Sequence, residues 1–262
     1  AGFWSEFGNV IKEGPIEDHK NKERVAKLLR FASTHTDTDV QDASFEDYIS
    51  RMKEDQDKIY YVTADSFTAA KNSPHLEIFR KKGIEVLLLS DRVDEWLVSN
   101  LNDFDGKVLQ SVAKGQLDLD KFDTEEDKKE QEEVTKDFES VITQIKEVLA
   151  DKVGDVRISH RLTASPSCLV TEQDAMSLNM ERIMKEAGQD MSMMGMGAPK
   201  PIFEINPEHA LVTRLKEEQD DERFADLTRI LFDQAILSEG GQLDDPADFV
   251  HNLNGLLQGL LK

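Results

Sequence analysis

Two carboxylates follow apolar stretches of the chain, where enzymes built from alternating strands and helices often place acid or base groups. Asp65 comes after residues 59–63, and Asp91 comes after residues 86–89. One hypothesis is therefore a hydrolase or transferase of the α/β class that uses either carboxylate. Because Asp is also a favoured residue at the N-terminal cap of a helix, capping is the simpler explanation of both positions.

The remaining reactive residues form no motif for metal, nucleotide or nucleophilic chemistry. The six histidines are scattered and Cys168 is the single cysteine, which excludes an internal disulfide and a cysteine-only zinc site. Gly106 and Lys107 are followed by Val108 rather than by Ser or Thr, so they do not form a phosphate-binding loop. We predict that the chain contains no catalytic residue, no metal site and no cofactor, and that Cys168 is a small core residue.

The charge balance limits the class of partner. The chain has 262 residues, with 32 Lys and Arg against 53 Asp and Glu, and a net charge of −21. A chain this acidic repels nucleic-acid phosphates and anionic lipid surfaces, so we expect neither partner. The single cysteine and the lack of a long apolar run are typical of a cytoplasmic protein. The first residues, Ala-Gly-Phe-Trp, do not include an initiator Met, and we expect the chain to be a piece of a longer protein.

The first part of the chain alternates apolar runs with helical patterns, which predicts a small three-layer α/β domain over residues 1–120. We predict strands at 59–63, 86–89 and 108–112, the last at a sheet edge, with helices at 66–71 and 74–82. Gly83 ends the second helix. Strand, helix and strand in this order predict a right-handed parallel crossover. Residues 28–31 supply a further strand or a helix end.

The second part, residues 121–262, is predicted to be an α+β domain. Residues 118–133 are strongly acidic and are interpreted as a solvated connector that runs into a helix. That helix is indicated by apolar residues that recur every three or four positions from Phe138 to Leu149. Beyond it we predict short strands near 156–159, 168–171 and 203–206, followed by two closing helices.

The closing helices carry more apolar surface than a single chain needs. Asp245 and Pro246 mark the start of the last helix, which has an apolar stripe along one side. The preceding helix, 222–238, is apolar around more than half of its circumference. We therefore predict a homodimer in which two copies form a four-helix bundle. The predicted interface residues are Leu227, Leu231, Phe249, Leu253, Leu256, Leu257 and Leu260.

Methionines cluster late in the chain. A stripe at helical spacing consists of Met176, Met180, Ile183 and Met184. We predict that its helix begins at a cap near Thr171 or Asp174 and ends at Gly188, with more methionines in residues 191–196. Unbranched thioether side chains adapt to varied apolar ligands, but a methionine stripe on a helix is more often part of a core. The residues alone leave both interpretations open.

Trp96 is a second candidate for contact with another protein. It follows Glu95 near the start of a predicted helix. Tryptophan is a frequent interface anchor, and it is also highly buried on average. The sequence leaves these two interpretations about equal.

Several long runs of residues resemble the heat-shock protein 90 family of chaperones, its bacterial members in particular. The most specific run is residues 73–77 (SPHLE), followed by residues 80–91 (RKKGIEVLLLSD). Further similar runs are residues 12–15, 27–34, 48–53, 58–66, 155–157, 159–162 and 206–209. The resemblance therefore extends over nearly the whole chain.

The resemblance implies an ATP-driven dimeric chaperone with nucleotide-binding, middle and C-terminal dimerisation domains. Residues 1–120 are then the C-terminal part of the middle domain, and residues 121–262 are the C-terminal dimerisation domain. ATP and magnesium would bind upstream, so this chain alone would not hydrolyse ATP. Because the chain ends without the acidic pentapeptide of the eukaryotic cytosolic relatives, tetratricopeptide co-chaperones are not expected.

The resemblance also implies that non-native proteins, the clients of such chaperones, are partners. The family's client-contact region is similar to Glu95, Trp96, Met176, Met180, Ile183 and Met184 of this chain. We therefore predict the client-binding and dimerising part of a molecular chaperone that assists protein folding and the stress response. The alternatives are the hydrolase or transferase fragment and a purely structural oligomerisation module. The Met and Gly run at 191–197 is longer than the family usually carries.

Overall fold

Residues 2–117, 119–122, 125–188 and 200–259 are described by a computed structural model of the chain. The chain forms two compact units, Ala1–Ala113 and Lys114–Lys262. Each unit combines helices with its own small sheet, which confirms the mixed α/β class. None of the helices within the described residues is both long and apolar enough to cross a membrane.

The first unit is built on a five-stranded mixed sheet. Its strands are β1 (Ala32–Ser33), β2 (Lys58–Thr63), β3 (Leu87–Leu89), β4 (Asp103–Phe104) and β5 (Lys107–Ser111). The order across the sheet is β1-β3-β2-β5-β4. Strand β2 is parallel to both β3 and β5, whereas β1 and β4 pair antiparallel to their neighbours. The predicted parallel pairing of residues 59–63 with residues 86–89 is therefore confirmed.

Two predicted strand positions differ from the structure. Strand β5 is not an edge strand, because β4 pairs with its outer side. The two strands are joined by Asp105 and Gly106, whose φ angles of 49° and 73° are those of a type I′ hairpin turn. Residues 28–31 form no regular strand or helix, although Phe31 makes an isolated antiparallel bridge to Ala43 directly before β1 begins at Ala32.

Helices cover this first sheet. They are α1 (Gly2–Glu17), α2 (Lys22–Ala26), α3 (Phe45–Ser50), α4 (Phe67–Lys71), α5 (Glu77–Lys82) and α6 (Asp94–Asn100), with a 3-10 turn at Pro74–Leu76. Helix α5 ends at Gly83, which has a φ of 62°, as predicted. Phe45 lies between Phe31 and Phe104 in the core, with ring centroids 4.9 and 5.0 Å apart.

The acidic segment that follows is helical over much of its length. Helix α7 (Glu125–Asp137) leads into α8 (Glu139–Leu149), so the helix begins earlier than predicted. Lys129, Glu132 and Glu133 are exposed, in agreement with the prediction that this segment is solvated. Glu and Lys are strong helix formers even where no apolar face requires a helix. The apolar stripe on α8 is confirmed, since Val141, Ile145 and Leu149 are buried. A 3-10 turn at Ala150–Lys152 follows.

The second unit has a three-stranded sheet. Its strands are β6 (Asp155–Ile158), β7 (Ser167–Val170) and β8 (Ile202–Ile205), close to the predicted positions. The central strand β8 is parallel to β6 and antiparallel to β7. The helices of this unit after α8 are α9 (Leu178–Glu186), α10 (Ala210–Glu217), α11 (Asp221–Ser238) and α12 (Pro246–Gly259). Side chains from α8, the sheet, α10 and α11 form one core.

Candidate functional sites

Asp91 lies in a buried ion network rather than in an open cleft. The Nζ atom of Lys12 is 2.7 Å from Oδ2 of Asp91 and 2.8 Å from Oδ1 of Asp94. Gln41 donates a further hydrogen bond to Asp91 at 2.9 Å. Burial alone would raise the pKa of Asp91, but the Lys12 charge and the hydrogen bonds from Lys12 and Gln41 hold that pKa below its usual value. An ionised carboxylate held in this way links helices and is poorly placed to exchange protons.

The capping explanation is wrong for both carboxylates singled out by the sequence. Ser66 caps α4, because its Oγ accepts a hydrogen bond from the backbone N–H of Ala69 at 3.2 Å. Asp65 lies one residue before that cap. The cap of α6 is Val93, and Asp91 lies outside the helix. Within the described residues, no cluster of three or more His, Cys, Asp or Glu side chains is arranged to hold a metal ion.

Helix α6 presents Trp96 at its surface but turns Glu95 inward. Trp96 is half-buried, whereas Glu95 is only 3% exposed. Burial raises the pKa of Tyr61, and the nearby charge of Glu95 raises it further. Because α6 packs against α1, the Lys12 network fixes the helix that carries Trp96.

The methionine helix begins later than predicted. The Oγ atom of Ser177 accepts a hydrogen bond from the backbone N–H of Met180 at 3.0 Å, so Ser177 is the cap, not Thr171 or Asp174. Met176 therefore precedes the helix. The helix ends at Glu186, just before Gly188.

The four residues of the methionine stripe differ in burial. Ile183 is 4% exposed, whereas Met176, Met180 and Met184 are half-buried. The stripe is therefore partly a core contact and partly accessible surface. The methionines of residues 191–196 lie outside the described residues.

Most of helix α11 is covered by its own chain, although Leu237 near its C-terminal end is 47% exposed. It packs against β7, α8, α10 and α12, and the Ser167 hydroxyl donates a hydrogen bond to the Leu231 carbonyl at 3.0 Å. Leu227 and Leu231 both lie in the core of the second unit. The prediction that the apolar surface of α11 needs a second copy of the chain to cover it is therefore wrong.

Helix α12 is much less covered than α11, because none of its residues is buried. The predicted cap is confirmed, since Oδ1 of Asp245 accepts hydrogen bonds from the backbone N–H groups of Ala247 and Asp248, both at 3.0 Å. Leu256 packs against the core, while Val250 and Leu257 are 52% and 50% exposed.

The remaining predicted interface residues of this helix fall into two groups. Phe249 and Leu253 are half-buried, and Leu260 lies outside the described residues. Val250 and Leu257 lie two helical turns apart on one side, with Leu253 between them. These three residues form an apolar ridge, in which Val250 and Leu257 are about half exposed and Leu253 is mostly covered.

A buried network of charged side chains in the second unit was not predicted. Glu204 on β8 is 3% exposed, and its carboxylate is 2.8 Å from both Arg161 and Arg157. The hydroxyl of Ser159 donates a further hydrogen bond to it at 2.9 Å. Burial would raise the pKa of Glu204, but the charges of Arg161 and Arg157 and their hydrogen bonds hold it below the usual value.

This network also fixes the start of the second unit. Arg161 and Arg157 donate hydrogen bonds to the carbonyl oxygen of Gly115 at 2.8 and 3.3 Å. Cys168 lies beside Glu204 and is fully buried, which confirms that it is a core residue. The available signal is Glu204 within the apolar strand sequence IFEI, together with Arg157 in β6 and Arg161 three residues after that strand ends.

The chain as a whole, residues 1–262, matches the family model described as Hsp90 protein. The chain belongs to the Hsp90 family. It is 61% identical over 99% of its length to the chaperone protein HtpG of Methylococcus capsulatus. It is also 61% identical over 97% of its length to the HtpG chaperone of Nitrosospira multiformis, and 59% identical over 99% to that of Dechloromonas aromatica. The chain spans about 40% of the length of these relatives.

In this Hsp90-family chain the predicted site residues are distributed over both units. Glu95 and Trp96 belong to the first unit, and the methionine stripe and the ridge of α12 belong to the second. The second unit also has a groove that the sequence did not indicate. The groove has a volume of about 530 Å³ and lies between α9, the end of α11 and the segment that leads to α12.

Proposed function

We propose that this chain is the part of an Hsp90-family chaperone that joins two subunits and binds non-native client proteins. The observation that carries the proposal is the ridge of Val250, Leu253 and Leu257 on α12, since no residue of that helix is buried. An uncovered apolar helix face favours association with a partner. The names of the relatives, chaperone protein HtpG, support the choice of function.

A second copy of the chain is the partner that fits the ridge best. In an isologous contact the ridge of one copy packs against the ridge of the other. This contact buries the exposed surface of Val250 and Leu257 in both copies. Each large aliphatic side chain contributes about 1.5–3 kcal/mol when it becomes fully buried. Helices α11 and α12 already pack against each other, so two such pairs form the proposed four-helix bundle.

Client binding is assigned to the accessible side chains of two helices. Trp96 on α6 and Met180 and Met184 on α9 are each half-buried. A tryptophan supplies a large rigid contact area, and methionines adapt to apolar segments of different shape. Glu95 and Ile183, which lie inside the units, hold these helices in place and have little surface of their own to offer a client.

The intact protein is proposed to be a cytoplasmic, stress-responsive chaperone driven by ATP and magnesium, which bind outside these residues. In this proposal the present residues contribute no chemistry to ATP hydrolysis. Its net charge of −21 also argues against nucleic acid and anionic membranes as partners. The hydrolase or transferase alternative is not favoured, because Asp91 is a partly buried ion-pair partner of the buried Lys12.

The test combines molecular mass with capture of a client. We expect light scattering to give twice the monomer mass, and we expect the chain to suppress aggregation of a chemically unfolded model protein. If the chain does not suppress aggregation when its subunits are present at the same concentration as the unfolded protein, the proposed client binding is wrong. The purely structural oligomerisation module is then the favoured function. A mass equal to one chain at micromolar concentration would overturn the proposed pairing.

A further inference from the structure

The groove of the second unit has an apolar floor. Its apolar lining residues come from β7, α9, α11 and the loops beside them: Leu169, Leu178, Pro201, Phe232, Ile236 and Leu243. Such a cleft is large enough for several side chains of a bound segment. Its α9 wall is formed by Leu178, Glu181, Arg182 and Lys185, which lie on a different face of the helix from Met180 and Met184. The groove is therefore a separate surface from the methionine stripe.

The wall opposite α9 is strongly acidic. Its carboxylates are Asp233, Glu239, Asp244, Asp245 and Asp248. Burial raises the pKa of Asp233; Lys152 opposes this shift, while the charges of Asp248 and Asp244 add to it. The carboxylates of this wall thus repel one another, and a cation placed among them would be stabilised.

Four cations also line the groove, namely Lys152, Arg182, Lys185 and Lys200, and the charge of Lys152 reaches Asp233 of the acidic wall. Lys200 pairs with Asp151 at 3.1 Å, and Arg182 pairs with Glu186 at 2.7 Å. Lys152 lies over the ring of Phe232, 6.0 Å from its centroid. The groove therefore offers an apolar floor with an excess of negative charge along one wall.

The acidic wall is built on a rigid turn. Gly240 has a φ of 75°, and the N–H groups of Gly240 and Gly241 donate to the carbonyls of Leu237 and Ile236 at 3.1 and 2.9 Å. This is the Schellman pattern of a helix end. A Cβ atom at Gly241 would lie 2.7 Å from Cγ2 of Ile236, so the turn packs tightly on the groove floor.

We propose that this groove binds segments of client polypeptides in which apolar side chains are flanked by lysine or arginine. The apolar side chains would lie on Leu178, Ile236 and Leu243, which line the groove and are partly exposed. The cations would lie along the wall of Asp233, Asp244 and Asp248. The inference rests on the proposed client-binding function and names the class of segment that this surface selects. Charge complementarity of this kind gives specificity and speeds association.

The probe is a labelled twelve-residue peptide of alternating Leu and Lys, measured by fluorescence anisotropy at low and high salt. The comparison peptides replace every Lys with Glu, or every Leu with Ser. We expect the Leu-Lys peptide to bind at least tenfold more tightly than either, with weaker binding at high salt. Equal affinity for the Lys and Glu peptides would overturn the assignment.

A matched pair of variants separates the groove from the general negative charge of the chain. Asp244→Asn with Asp248→Asn removes two carboxylates from the wall, and about a fivefold loss of affinity is expected from two partly exposed charge pairs. The control, Asp221→Asn with Glu222→Gln, removes two exposed charges from the first turn of α11. Equal losses in both variants, or none in the first, would contradict the proposal.

The proposed function and the groove assignment fail in different ways. If the chain captures an unfolded protein but does not distinguish the Lys and Glu peptides, only the groove assignment is wrong. If the chain captures no unfolded protein, the proposed client binding is wrong. Phe7→Ala should leave affinity for the Leu-Lys peptide within twofold of the original chain, because Phe7 is an exposed residue of the first unit and does not line the groove.

Discussion

The ammonium group of Lys12 and the carboxylate of Asp94 lie 2.8 Å apart inside the first unit, and each side chain is 1% exposed. The pair joins α1 to the first turn of α6, two residues before Trp96. Burial raises the pKa of Asp94, and the charge of Lys12 opposes this rise. Lys12 therefore offsets part of the cost of removing the Asp94 carboxylate from water.

We predict that Lys12→Met destabilises the first unit by about 3–5 kcal/mol, because it leaves Asp94 buried without its cation. The matched control is Lys27→Met, since Lys27 is 61% exposed and lies 3.9 Å from an equally exposed Glu46. That change should cost less than about 1 kcal/mol. Urea unfolding followed by tryptophan fluorescence measures both, and similar midpoints for the two variants would contradict the prediction.

We predict that Glu204 makes the stability of the second unit dependent on pH. Because its pKa is lowered in the folded chain, the ionised carboxylate stabilises the fold above the usual pKa of 4.5. This contribution is lost as the pH falls through the lower folded value. Glu204→Gln should therefore unfold at a lower urea concentration than the original chain at pH 7. The difference between the two urea midpoints should narrow steadily as the pH falls below 4.5.

The control for that experiment is Glu208→Gln, an exposed position four residues away. Its unfolding midpoint should follow the original chain at every pH. If the difference in urea midpoint between Glu204→Gln and the original chain is constant from pH 7 to pH 3, the charge of Glu204 is not the cause of the lost stability.

We predict that Trp96→Ala with Met180→Ala weakens capture of an unfolded model protein by about tenfold, because both side chains supply apolar contact area to the client. The control is Phe7→Ala, which removes an aromatic side chain that is 52% exposed on α1. Circular dichroism checks that each variant remains folded. An equal loss of capture in the control variant would indicate non-specific hydrophobic binding and would contradict a defined binding surface.

Local patterns predict much of the fold, and long-range pairing explains what they miss. The strand pair at 59–63 and 86–89, the stripe on α8 and the Asp245 cap each depend on neighbouring residues, and each is confirmed. The enclosure of α11 depends on β7 and α8, which lie far away in sequence. The sequence of residues 222–238 does not show which distant elements pack against the helix. The sequence alone therefore predicts that a second copy covers its apolar surface.

The same limit applies to the two ion networks. Lys12 pairs with a residue 82 positions away, and Arg161 pairs with one 43 positions away. The sequence indicated Asp91 as a reactive group because it follows a strand, but its true partner comes from α1. A local signal did exist for the β4–β5 hairpin, since Asp-Gly is a favoured type I′ turn.

The central claim is that α12 pairs two copies of this chain through Val250, Leu253 and Leu257. Val250→Asp with Leu257→Asp tests it, because both side chains are about half exposed in one copy, so a charge there is tolerated by the isolated fold. In a pair, each Asp would be a buried, unpaired charge. His251→Asp with Gln258→Asp places the same charges at exposed positions that lie about 100° around the helix from Val250 and Leu257.

Sedimentation velocity of these two variants and the original chain is the most direct measurement. We predict a dimer for the original chain and for His251→Asp with Gln258→Asp, and a folded monomer for Val250→Asp with Leu257→Asp. A dimer that persists in the Val250 and Leu257 variant, or an original chain that sediments as a monomer, would contradict the account.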